Sequence, residues 1–131
     1  MKRATVLLIE DDQFFSQIMK GSLEERGYEV VWAANGEDGV RQARTLLPDV
    51  ITLDVMMPKK NGFQVLDELK EEESTRDIPV IMLTSMSSRE DIERCLVTGA
   101  CEYMIKVHHT PEEVCERVAR LVKAMPSREE A

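Results

Sequence analysis

DVITLDVMMPKKNG, residues 49–62, decides the fold. Val50-Ile51-Thr52-Leu53 shows no alternation of polar and apolar positions, the pattern of a strand covered on both faces. The strand ends on one carboxylate, Asp54, and a loop containing Pro58, Lys59, Lys60, Asn61 and Gly62 follows at once. A buried strand that hands an acid straight to the surface either begins a turn or holds a reactive group.

Four more short apolar blocks, Thr5–Ile9, Glu29–Ala33, Val80–Leu83 and Glu102–Ile105, read as strands of the same kind. Mixed segments separate them and read as helices. Phe14, Phe15, Ile18, Met19 and Leu23 form the apolar set of the first, within Gln13–Arg26. Val40, Ala43 and Leu47 mark the second (36–47), Phe63, Leu66 and Leu69 the third (62–72), and Ile92, Cys95 and Leu96 the fourth. Val114, Val118, Leu121, Val122 and Met125 mark the fifth, which opens on Thr110, Pro111 and Glu113, a capping box with proline at the first helical position. Asn35-Gly36 and Ser87-Ser88 open the second and fourth helices in a similar way. Five strands alternating with five helices predict an α/β fold: βαβ units, right-handed crossovers and a doubly wound five-stranded parallel sheet. Glu71–Asp77 reads as an exposed loop and Pro126–Ala131 as a frayed tail.

The chain has 131 residues, enough for one domain with a core and too few for two. Apolar residues make up 43% and charged residues 32%, a globular balance. No apolar run approaches the ~20 residues that cross a bilayer, and Val6–Ile9 is too short for a signal-peptide core, so the expected compartment is the cytoplasm. The net charge of −8 disfavours nonspecific nucleic-acid binding. Cys95, Cys101 and Cys115 form no C-x-x-C and read as reduced, buried, structural thiols. Adjacent His108 and His109 read as solvated, and Trp32 as partly buried core.

Ligands of open α/β sheets bind at the carboxyl ends of the strands. The first strand delivers Glu10, Asp11 and Asp12 there, the third Asp54, the fourth Thr84 and Ser85, the fifth Lys106. Clustered carboxylates repel and call for a cation, and oxygen ligands favour Mg²⁺. A carboxylate can itself attack phosphorus, with a lysine and a hydroxyl steadying the phosphoryl oxygens. Taken singly, each residue has a plainer reading. Asp12 suits a helix cap, Asp54 and Thr84 a turn, and Lys106 a solvated charge. Their joint placement at strand ends favours chemistry.

Leu8–Asp12, Asp54–Gly62, Val80–Ser85 and Gly99–Lys106, in that order and at those spacings, resemble the receiver domain of bacterial two-component response regulators over about residues 4–124, with 125–131 as a short tail. The resemblance implies a flavodoxin-like (βα)5 sheet of strand order 2-1-3-4-5. It implies that Asp54 is the phosphoacceptor, receiving its phosphoryl group from a sensor histidine kinase, a phosphotransfer protein or a small phosphodonor. Glu10, Asp11, Asp54 and the Met56 carbonyl match the Mg²⁺ site, with Asp12 as its neighbour. Thr84 and Lys106 match the residues that grip the phosphoryl group. Tyr103 matches the aromatic switch coupled to Thr84, with readout through the surface of the fourth helix, fifth strand and fifth helix. Such a domain is not a conventional enzyme. It assists its own phosphorylation and dephosphorylation, and it controls a downstream protein or an output domain. Whether this chain acts alone or is one domain of a larger protein, and whether it dimerises on phosphorylation, stays open.

Two positions depart from the family pattern, and two more bear on dephosphorylation. Val107 stands where a cis proline usually follows the lysine. A cis bond before Val costs roughly 2.5–4 kcal/mol, against about 0.5–1 before Pro, so a trans bond and an altered loop are expected. Ser85 replaces a smaller residue and narrows access slightly. Met56 and Met86 match the positions that flank the family's site and tune dephosphorylation, and neither can orient a water by charge or strong hydrogen bonding, so self-dephosphorylation is expected to be slow. A degenerate receiver that binds partners without phosphate is the alternative, supported by Val107 alone. An aspartate-nucleophile phosphatase would need a second acid where Met56 stands, and a nucleotide-binding module would need a Gly-rich loop after the first strand.

Overall fold

The computed structural model describes residues 3–124. Met125 and the tail expected at 126–131 lie outside the described residues. The elements run β1 (Thr5–Ile9), α1 (Gln13–Glu25), β2 (Glu29–Ala33), α2 (Gly36–Leu46), β3 (Val50–Leu53), α3 (Gly62–Glu71), β4 (Val80–Thr84), α4 (Arg89–Thr98), β5 (Glu102–Ile105) and α5 (Pro111–Ala124), with a 3₁₀ turn over Lys106–His108. All strand pairs are parallel, in the order β2-β1-β3-β4-β5, as expected.

The pleat sends alternate side chains into two cores. Leu7, Ile9, Ile51, Leu53, Val80 and Met82 face α2, α3 and α4, where they meet Val40, Leu66, Leu69 and Cys95. Val6, Leu8, Val50, Ile81, Leu83 and Met104 face α1 and α5, where they meet Met19, Leu23, Val114 and Val118. Full burial of each such side chain contributes roughly 1.5–3 kcal/mol, and it explains the unbroken apolar runs of the strands.

The helix starts are fixed by side chains. Asp12 Oδ1 accepts from the Phe15 N–H at 3.0 Å, so Asp12 is the α1 cap. Asn35, Ser88 and Thr110 cap α2, α4 and α5 as expected. Asn61 caps α3 through a capping box with Gln64, which the sequence reading passed over although Asn-x-x-Gln carries that signature.

Several expectations need correction. Phe14 and Ile18 belong to no core; they are 75% and 42% exposed, because five apolar positions make a stripe wider than the sheet can cover. Leu47 and Leu96 are likewise exposed. The loop after α3 is not wholly exposed: Thr75 is buried, and its hydroxyl donates to the Leu69 carbonyl at 2.7 Å, tying the loop to the helix end. Cys95 and Cys115 are buried thiols, but Cys101 is exposed just before the edge strand β5. His108 is exposed, whereas His109 is half-buried, with Nδ1 3.2 Å from Glu113 Oε2 one helical turn on. No helix among the described residues is long and apolar enough to cross a membrane.

Candidate functional site

Backbone ladders set the acids in place. The Asp54 N–H donates to the Ile9 carbonyl at 3.0 Å and the Glu10 N–H to the Ala33 carbonyl at 3.0 Å. Each acid is therefore the residue just past its strand, still held by the neighbouring one. The indole N–H of Trp32 donates to the Glu10 carbonyl at 2.6 Å, a second tether from β2. Trp32 is partly buried as expected, and this contact adds a role invisible in sequence. Behind Asp54 the chain turns sharply. Lys59 takes φ +68°, and the Lys60 N–H closes back on the Pro58 carbonyl at 2.8 Å. Gly62 packs so tightly that a Cβ would lie 2.3 Å from the Asp54 carbonyl oxygen. Only glycine lets the loop close there.

Glu10, Asp11 and Asp54 offer carboxylate oxygens within 4.8 Å of one another; Glu10 and Asp54 are buried and Asp11 is exposed. An all-oxygen set with one face open to water suits Mg²⁺, which keeps several of its waters. The donors present therefore fit that ion. The Met56 N–H lies 3.4 Å from Asp54 Oδ1, and the Met56 side chain is 66% exposed beside the acid.

Lys106 reaches into the cluster. Its Nζ is 2.7 Å from Glu10 Oε1 and 3.2 Å from Asp54 Oδ2. It also sits over the Phe15 ring, 4.4 Å from the centroid. Burial opposes the ammonium charge, but hydrogen bonding to Glu10 and the charges of Asp54 and Glu10 outweigh it and hold the lysine pKa above its usual value. Glu10 is pushed up to about 7, by burial first, with Asp54's charge adding to it; its contacts with Lys106 oppose the rise but do not cancel it. Lys106 is thus paired with two acids and is not the solvated charge its isolated reading suggests. No cis peptide bond occurs among the described residues, so Lys106–Val107 is trans as expected, and Val107 is 81% exposed.

Thr84 ends β4, one residue beyond the predicted strand, and is fully buried. Its Oγ1 accepts from the Met86 N–H at 3.3 Å. The Tyr103 hydroxyl donates to the Met86 carbonyl at 2.8 Å, so the ring is turned inward. Burial foremost pushes the Tyr103 hydroxyl up to about 12 and keeps it a donor at neutral pH. Met86 therefore links Thr84 and Tyr103 through its own peptide groups. Ser85 is exposed at the rim, and Met86 packs half-buried against the α2–α4 core. Sequence reasoning missed the contacts of Phe15 and Trp32 with the site, because aromatic residues at helix or strand spacing read as core.

The acid cluster and its one lysine lie at the carboxyl edge of a doubly wound sheet, where ligands of open α/β folds bind. The chain belongs to the response regulator receiver domain family, whose model matches residues 6–119. It is 39% identical over 118 residues to the DNA-binding dual master transcriptional regulator RpaA of Synechocystis sp., which covers 90% of this chain and 48% of RpaA. It is 36% identical over 118 residues to the phosphate regulon regulatory protein PhoB of Escherichia coli, covering 90% of this chain and 51% of PhoB. The chain thus spans about half the length of the curated relatives it matches. Among solved structures, the receiver domain of sensor histidine kinase PA1611 from Pseudomonas aeruginosa, with magnesium coordinated in its active-site cleft, superposes with a TM-score of 0.85 at 28% identity, covering 94% of this chain and 100% of that one.

Proposed function

We propose that this chain is a phosphorylation-controlled switch with Asp54 as phosphoacceptor. The observation that carries the reading is the meeting of Glu10, Asp54 and the Lys106 ammonium on one rim beside exposed Asp11. A carboxylate oxygen of Asp54 attacks phosphorus of a phosphohistidine or small phosphodonor. The P–N or P–O bond to the donor breaks, the leaving group takes that electron pair, and an acyl phosphate forms on Asp54. Glu10, Asp11, Asp54 and the Met56 carbonyl would hold Mg²⁺, which supplies positive charge against the phosphoryl oxygens.

Lys106 exchanges its carboxylate partners for a phosphoryl oxygen. The Thr84 hydroxyl accepts from the Met86 N–H and has its own proton to donate to another phosphoryl oxygen, so drawing Thr84 towards that oxygen pulls on Met86. Because Met86 also holds the Tyr103 hydroxyl, movement of Thr84 is felt at Tyr103 and at the surface of α4, β5 and α5. Exposed Met56 and Val107, close in sequence to Asp54 and Lys106, suit docking of a protein donor, a sensor histidine kinase or phosphotransfer protein, more than a nucleic acid. The output is contact with a downstream protein or an attached output domain. The cytoplasm is the compartment this role needs.

The test is incubation with Mg²⁺ and acetyl phosphate, followed by intact mass, and binding of beryllofluoride followed by Trp32 fluorescence. A Mg²⁺-dependent adduct that is lost in Asp54→Asn supports the reading. No adduct and no beryllofluoride binding would overturn it in favour of a phosphate-independent interaction module.

A further inference from the structure

We propose that the Phe15 ring is a positioning device for Lys106, a neutral holder beside the two carboxylates. The consequence for phosphorylation rests on the reading above; the geometry does not. Lys106 opens a short 3₁₀ turn on a trans backbone, and that turn has no side-chain cap. Its neighbour Val107 is 81% exposed. The local backbone therefore does little to aim a long, flexible stem. The aim comes from three other elements: Glu10 after β1 at 2.7 Å, Asp54 after β3 at 3.2 Å, and the Phe15 face on α1 at 4.4 Å.

Phe15 is fixed independently of the lysine. Its N–H is held by the Asp12 cap, and its side chain packs against the α1–α5 core. The next aromatic, Phe14, is 75% exposed and shares none of this.

The three holders differ in what competes for them. Glu10 and Asp54 carry the oxygens that a hard divalent cation takes. A ring face has no lone pair to offer such a cation, yet its quadrupole attracts an ammonium. When the carboxylates turn towards a metal, the ring still keeps Lys106 at the rim. The contact is also weak enough to let the amine move to a phosphoryl oxygen. Phe15 is thus a positioning residue and not a catalytic one.

Lysine-labelled protein, read by NMR, tests the geometry directly, with the Lys106 signals identified by their loss in Lys106→Arg. Ring current should displace the Lys106 side-chain signals upfield. The displacement should vanish in Phe15→Leu, survive in Phe15→Tyr and ignore Phe14→Leu. With Mg²⁺ and acetyl phosphate, Phe15→Leu should be phosphorylated roughly three- to tenfold more slowly, the span of a partly buried cation–π contact. Its half-saturating Mg²⁺ should be unchanged, and Phe15→Tyr should recover the rate. Undisplaced Lys106 signals in the parent chain, or a Phe15→Leu protein phosphorylated at the parent rate, would overturn the proposal. If Phe15→Leu does not fold, the parent spectrum and Phe15→Tyr still decide. Displaced signals in a chain that takes no phosphoryl group would support the ring's hold on Lys106 and count against the phosphorylation reading alone.

Discussion

Replacing Glu10 by Gln should move the balance of stability towards the variant as pH rises from acid to alkaline. The Glu10 carboxyl is 4% exposed, and burial, with help from Asp54, raises its pKa from 4.5 to about 7. The folded chain therefore holds this proton more tightly than the unfolded one. The resulting stabilisation is full below the unfolded value and is lost as pH climbs through the folded value. At 1.36 kcal/mol per unit of pKa, the stability lost between about pH 5 and about pH 8 is on the order of 2–3 kcal/mol. Gln keeps the shape and carries no charge at any pH, but its single oxygen can serve either the Asp12 N–H, which Glu10 Oε2 binds at 3.1 Å, or Lys106, which Oε1 meets at 2.7 Å, a fixed loss that leaves the pH-dependent swing intact. The stability difference between variant and parent should therefore swing in the variant's favour by that amount from acid to alkaline pH. Urea denaturation of both chains, in chelator so that no divalent ion intervenes, measures it. A difference that stays flat with pH, or swings the other way, would refute the reasoning. Adding Mg²⁺ should then stabilise the parent more than the variant, through ligand linkage.

Two further outcomes concern the surroundings of Asp54. On the proposed function, with Met86 at the flanking position that the family resemblance implies, Met86→Glu should speed loss of the phosphoryl group at least about tenfold, below the ~10²–10⁴-fold of a well-positioned acid or base; decay of the phosphorylated mass at the parent rate would sink the expectation of slow self-dephosphorylation. Gly62→Ala puts a Cβ 2.3 Å from the Asp54 carbonyl and 2.6 Å from the Val55 Cα, both backbone atoms that yield only if the loop moves. It should cost about 2–3 kcal/mol in thermal or urea denaturation and weaken beryllofluoride binding as well, and an unchanged midpoint would show that the loop has slack.

Much of this molecule is legible in its sequence because the physics is local or periodic. Continuous apolar runs marked all five strands, and only β4 runs one residue longer than read, through Thr84. The rim acids and Lys106 could be collected because a parallel sheet puts every strand's carboxyl end on one edge. What stayed hidden depends on contacts between distant segments. Nothing in the spacing of α1 separates Phe15, which meets a lysine from the far end of the chain, from Phe14, which meets water. Trp32 reads as an edge-strand aromatic, and its hydrogen bond to the Glu10 carbonyl appears only once β2 lies beside β1. His109 and Thr75 looked solvated because their partners, Glu113 and the Leu69 carbonyl, lie in adjoining helices whose ends had first to be placed.

The two cores on opposite sides of the sheet divide whatever happens at Asp54. Tyr103 and Met86 lean on the core under α2, α3 and α4, while Phe15, with Lys106 above it, leans on the core under α1 and α5. On the proposed function, one event at Asp54 would press on both cores at once, through Thr84, Met86 and Tyr103 on the side of α4 and through Lys106 and Phe15 on the side of α5. A readout surface built from α4, β5 and α5 straddles the edge of the sheet and would feel both.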